Sequence, residues 1–247
     1  MRLDIFTITK EPLYWYNDLP LVPQSANMST KRITIPVSST IGKVSAAYDV
    51  PAQATCLITL AHGAGANMDH AFMVTLAEAL SAVNIGTMRF NFPFMENKKG
   101  RPDTPAVAHQ TIEAAINKAR DLFPELPLFA AGKSFGGRMS SQYLSTHPEA
   151  EIKGIIFYGF PLHAAGKPSI DRAEHLKTVK VPMLFLQGTK DTLAQWDLIE
   201  EVCGSLKKAK LVKLEGADHS FKAGKKVDTM SLLVNATSEW TAKILKK

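Results

Sequence analysis

From residue 31 onward the chain shows two kinds of hydrophobic pattern in turn. Residues 31–37, KRITIPV, alternate polar and apolar side chains, the period of a half-buried strand. ATCLITLAH (54–62) is instead a continuous apolar run closed by Gly63, as expected of a strand buried on both faces. Further strands are predicted at 85–92 (IGTMRFNF), 126–132 (LPLFAAG), 153–160 (KGIIFYGF), 181–188 (VPMLFLQG) and 209–216 (AKLVKLEG). Helical patterns separate them. One runs over about 68–83, and a second opens at Thr104 and Pro105, an N-cap residue followed by a proline suited to a first turn. That second helix places Ile112, Ala115, Ile116, Ala119 and Leu122 on one face. Others are predicted at Phe135 to Thr146, near 194–207, and at the C-terminus, where Val227, Met230, Val234, Trp240 and Ile244 recur at helical spacing. The closing lysines suit the negative end of that last helix. Alternating strands and helices imply an α/β fold with a mostly parallel central sheet covered by helices on both faces. One domain is expected over 29–247.

Residues 1–28 break the pattern. EPLYWYNDLPLVP has three prolines and a Tyr-Trp-Tyr cluster without periodicity. It reads as an N-terminal extension, either translated from an upstream start or an arm whose Trp15 docks on the domain.

Composition narrows the classes. A chain of 247 residues with 45% hydrophobic content can bury one sizeable core. The net charge of +6 could attract nucleic acid or anionic membranes. The lysines are spread out, however, and there is no zinc-ligand pattern, aromatic RNA-binding signature or basic zipper. The charge reads as a solvated basic surface, with no nucleic-acid partner. No run approaches the roughly 18 apolar residues of a membrane span, and no secretory signal opens the chain. Cys56 and Cys203 read as buried thiols in a reducing compartment, without metal-ligand spacing. A cytoplasmic protein is expected.

The chemistry concentrates at AAGKSFGGRMSSQYL (130–144), which admits two readings. Gly132-Lys133-Ser134 resembles the end of a phosphate-binding P-loop, which requires a glycine at position 127 and a loop before it. Position 127 is Pro127, and 126–131 reads as a strand. Gly132-Lys133-Ser134-Phe135-Gly136 also fits a nucleophile elbow, a strand–turn–helix with serine at the apex and small residues around it. Here the strand, the helix and the glycines are all present. A serine hydroxyl needs a base. Asp191 follows the strand MLFLQG and His219 follows LVKLEG, so acid and base both stand just past strand ends, where open α/β sheets build their sites. Read alone, Asp191 equally suits the N-cap of the helix at 194–207. Asp197 and Asp218 are rival acids not placed at a strand end. Two N–H donors for an oxyanion are expected from Phe135 and from Ala64, with Gly65 as second choice. His62 and His70 match a metal pair by residue type only, and structural or pocket-lining roles are expected. No metal and no cofactor are expected. Lys133 is read as solvated or ion-paired, with pocket electrostatics as the alternative.

The segments LAHGAGANMDH, MRFNFPFME, AAGKSFGGRMSS, GFPLHAAGKP, LFLQGTKD and ADHSF resemble the testis-expressed protein 30-like branch of the α/β-hydrolase superfamily, related to the dienelactone hydrolases. The resemblance covers about residues 55–222. It implies an α/β-hydrolase fold and the triad Ser134, Asp191 and His219, and it includes relatives that serve as scaffolds. Dienelactone hydrolases proper carry a cysteine nucleophile where this chain has Ser134. The expectation is therefore a carboxylesterase-like serine hydrolase acting on a small-molecule acyl substrate, with a non-catalytic interaction protein as the alternative. Only residues 161–180 separate two strands where many hydrolases insert a lid, so little or no lid and short acyl chains are expected.

Overall fold

The computed structural model describes residues 30–246, and the expectations for the extension 1–28 lie outside them. An eight-stranded sheet forms the centre: β1 (Lys31–Ser38), β2 (Gly42–Asp49), β3 (Cys56–Ala61), β4 (Ile85–Phe90), β5 (Leu128–Lys133), β6 (Ile155–Tyr158), β7 (Met183–Gly188) and β8 (Ala209–Leu214). Their spatial order is β1-β2-β4-β3-β5-β6-β7-β8. Only β2 runs against the rest, antiparallel to β1 and to β4, while the pairs from β4 to β8 are parallel. The sheet is thus mostly parallel, as the alternation of elements implies.

Each central strand sends alternate side chains to opposite faces, so both faces are apolar and both need cover. Leu57, Ala130, Ile155, Phe157 and Phe185 point to one side. There they meet α3 (Pro105–Leu122), α4 (Phe135–Thr146) and α5 (Trp196–Ser205) through residues such as Ile112, Ile116, Met139 and Ile199. Ile58, Leu60, Phe129, Ile156 and Leu184 point to the other. These meet α1 (Ala71–Ser81) and α6 (Thr229–Leu245) through Met73, Leu76, Leu233 and Trp240. Trp240 lies 5.8 Å from Phe129 between ring centroids, and a Cβ on Gly154 would come within 2.5 Å of its ring. A glycine is required at that point for the last helix to dock.

Several local expectations shift. α1 starts at Ala71, capped by the His70 ring, whose Nδ1 accepts from Phe72 N–H at 3.3 Å. Thr104 holds the N-cap position of α3 but makes no side-chain cap bond. Val227 lies before α6, which is capped by the Asp228 carboxylate. β2 and the four-residue helix α2 (Pro93–Glu96) have no counterpart in the pattern-based reading. The segment 161–180 forms a 3₁₀ run, Asp171–Thr178, pinned to α4 by buried Ala173 and Leu176 and by His175 Nε2 at 2.8 Å from Ser141 Oγ. No lid layer stands above the sheet among the described residues.

Candidate active site

The turn at the top of β5 is as short as a turn can be. β5 ends at Lys133 and α4 begins at Phe135, leaving Ser134 alone between them. Ser134 has φ 50° and ψ −114°, a conformation that costs energy for a residue with a Cβ and that surrounding packing must impose. The glycines make the packing possible. A Cβ on Gly132 would overlap the backbone of Gly136 and Gly137, and one on Gly136 would come within 2.5 Å of the Ala61 carbonyl oxygen and 2.6 Å of that of His62. Strand, helix and the β3 loop therefore meet with no room for side chains, and Ser134 is lifted onto the carboxyl edge of the sheet. No loop precedes Gly132, since residues 128–132 lie within β5, so the P-loop reading fails.

Two further loops deliver partners to that serine. His219 Nε2 lies 2.9 Å from Ser134 Oγ, and His219 Nδ1 lies 2.7 Å from Asp191 Oδ2. Because the carboxylate can only accept, Nδ1 carries the proton and Nε2 is left free to accept from the hydroxyl. Asp191 is buried and also accepts from Gln187 Nε2 at 2.6 Å and from Leu193 N–H at 2.8 Å. Three donors fix its orientation and compensate for its removal from water. It does not cap α5, whose N-cap position is held by Gln195. Of the rival acids, Asp218 builds the His219 turn by accepting from Ser220 and Lys222 N–H, and Asp197 sits in the first turn of α5.

The loop after β3 closes the other side. Gly63 faces Ser134 so closely that a Cβ on it would lie 3.7 Å from the serine Cβ. Ala64 follows, exposed, and Phe135, the first residue of α4, has an N–H with no carbonyl four residues earlier inside the helix. His62 anchors this loop from beneath. It is fully buried, its Nε2 accepts from Phe92 N–H at 3.0 Å, and its Nδ1 donates to Gly63 O at 2.8 Å. Burial lowers its pKa to about 4, so the ring is a neutral strut. His62 and His70 thus both serve the backbone, and no cluster of metal-ligating side chains is found among the described residues.

Three residues outside the pattern-based set support the site. Gln187 bridges the Asp191 carboxylate to Phe160 N–H, which its Oε1 accepts at 2.9 Å. The only signal for it in the sequence is an amide closing the apolar run MLFLQG. His163 Nε2 accepts from Gln195 N–H at 2.9 Å, tying the loop after β6 to the start of α5. Arg89 donates from Nη1 to Met68 O and pairs through Nη2 with buried Asp49, steadying the far end of the β3 loop. Lys133 departs from its expected solvated or ion-paired state. It is partly buried, forms no ion pair among the described residues, and donates from Nζ to His219 O at 2.6 Å.

A family described as an alpha/beta hydrolase domain matches residues 54–244. Among solved structures, a dienelactone hydrolase from Anabaena variabilis superposes with a TM-score of 0.71 at 18% identity, over 88% of this chain and 99% of that one. Est1E from Butyrivibrio proteoclasticus gives a TM-score of 0.69 at 16% identity over 87% and 99%. An α/β serine hydrolase without lid from Xanthomonas campestris gives 0.66 at 22% identity over 88% and 97%. At these identities the likeness is one of fold.

Proposed function

The chain belongs to the alpha/beta hydrolase domain family, and from that premise we propose that it is a serine hydrolase cleaving a carboxylic ester or related acyl bond. One observation carries the reading: the continuous contact from Ser134 Oγ to His219 Nε2 at 2.9 Å and from His219 Nδ1 to Asp191 Oδ2 at 2.7 Å, with the serine held in a strained turn. In this reading Ser134 Oγ attacks the acyl carbonyl while His219 Nε2 takes its proton. The imidazolium that forms is stabilised by Asp191 and returns the proton to the leaving group. Water then attacks the acyl-enzyme by the same route in reverse. The N–H groups of Phe135 and Ala64 hold the oxyanion, and each such donor is worth about 3 kcal/mol of barrier. The reaction requires no cofactor.

The short segment at 161–180 bears on substrate. Its 3₁₀ run packs on the flank of α4 and forms no lid layer. An open site favours small or short acyl groups, of about C2–C6, because longer chains find little apolar surface to bury against. The reading includes a cytoplasmic location, supported by two buried free thiols. A series of p-nitrophenyl esters of increasing acyl length tests it. The expected result is turnover that peaks among the short esters and vanishes in Ser134→Ala. Equal or better turnover of long-chain esters would remove the short-acyl assignment, and no turnover of any ester by folded protein would favour a scaffold role.

A further inference from the structure

Lys133 lies immediately before the serine yet turns away from solvent, and the triad described above makes no use of it. Its ammonium ends between the His219–Phe221 turn and the loop at Gly159. It donates to His219 O at 2.6 Å and lies 5.1 Å from the centroid of the Phe221 ring. That ring is buried and stacks on Phe72 of α1 at 5.7 Å. A Cβ on Gly159 would approach Lys133 Nζ to 3.1 Å and the His219 ring to 3.6 Å. Gly159, at φ +74°, thus leaves the space in which ammonium and imidazole come together. The His219–Phe221 turn is itself strained, with Phe221 at φ 62°. It is held by Asp218 from within and by Lys133 from outside.

We propose that Lys133 is a positioning residue for the hydrolytic site: it clamps the turn that carries His219 and so holds the imidazole against Ser134 Oγ. The charged groups meeting here are Asp191 on His219 Nδ1, the Asp218 carboxylate on the His219 loop, and Lys133 itself. A buried cation costs stability, and burial lowers the Lys133 pKa to about 8.

The inference rests on the serine hydrolase reading, and its test separates the two. Lys133→Met removes both charge and donor, while Lys133→Gln removes the charge and keeps an N–H donor. Each is compared with wild type below pH 8, where Lys133 is charged, by thermal unfolding, by kcat and KM on a short ester, and by the NMR signals of the His219 ring at a single pH. In Lys133→Met, kcat is expected to fall about 10- to 100-fold, the scale of a displaced catalytic group. KM should change little, and the melting temperature should hold or rise. Lys133→Gln, which keeps a donor, is expected to recover part of kcat. The His219 ring signals should move in Lys133→Met and return toward their wild-type positions in Lys133→Gln, and this readout needs no turnover. If wild type fails to turn over any ester, the hydrolase reading falls while the His219 ring signals still decide the role of Lys133. Unmoved His219 ring signals in Lys133→Met overturn the inference, as does a Lys133→Met protein that melts earlier while its folded fraction keeps wild-type kcat.

Discussion

Two histidines stand on loops at the same edge of the sheet, and their surroundings give them opposite chemistry. His62, after β3, is sealed from water and has both ring nitrogens committed to backbone groups, Phe92 N–H and Gly63 O. His219, after β8, keeps a side-chain exposure of 23% and divides its nitrogens between a carboxylate and a hydroxyl. An imidazole whose partners are an amide N–H and a carbonyl has nowhere to send a proton, and burial outweighs the nearby Glu96 charge and holds it neutral. An imidazole between a buried carboxylate and a hydroxyl can take a proton and be stabilised while it does. Residue type and edge of the sheet are the same in both cases, so partners decide which histidine is a strut and which, in the proposed reading, is a base.

The largest expected effect comes from removing the partner that makes His219 different. Asp191→Asn preserves shape but offers an N–H where Nδ1 needs an acceptor. The imidazole then takes the other tautomer, and Nε2 no longer accepts from Ser134. Esterase kcat is expected to fall by about 10⁴-fold, with a normal circular dichroism spectrum. A fall of less than tenfold would mean that the Asp191 contact is structural, as the contacts of His62 are.

A smaller effect sharpens the other side. His62 titrates near 4 in the folded protein against an ordinary 6.5. Between those values the unfolded chain binds a proton that the folded chain refuses, so stability rises with pH across the window and is lost on acidification. From pH 8 to pH 5 this group alone should cost about 2 kcal/mol. Urea melts of wild type and His62→Gln at both pH values should show a steeper acid loss in wild type. His175, also held near 4 by burial, is present in both proteins and cancels. Parallel losses would show that His62 is not the neutral strut its contacts describe.

The same contrast explains what the amino-acid sequence made legible. Ser134, Asp191 and His219 were readable because each follows an unmistakable apolar strand, and the sheet brings all strand ends to one edge. β2 was not, because GKVSAAYD mixes small and polar residues and its burial is supplied by β1 and β4 on either side. Thr104 and Asp191 show the limits of capping rules. The first takes the cap position without the cap bond, and the second makes its bonds to His219, Gln187 and Leu193 instead. Gln187 and Lys133 escaped because their roles depend on contacts across 4 and 86 residues that no local pattern encodes. His62 and His70 matched a metal pair by type, and only the backbone geometry around each ring shows what they hold.

The most direct test of the central claim is the intact mass of the protein after treatment with a fluorophosphonate, for wild type beside Ser134→Ala. Such a reagent bonds covalently to a serine only when a base and oxyanion donors activate it. The expected result is one adduct on wild type and none on Ser134→Ala. No adduct on folded wild type, or an equal adduct on both proteins, would contradict the assignment of Ser134 as an activated nucleophile.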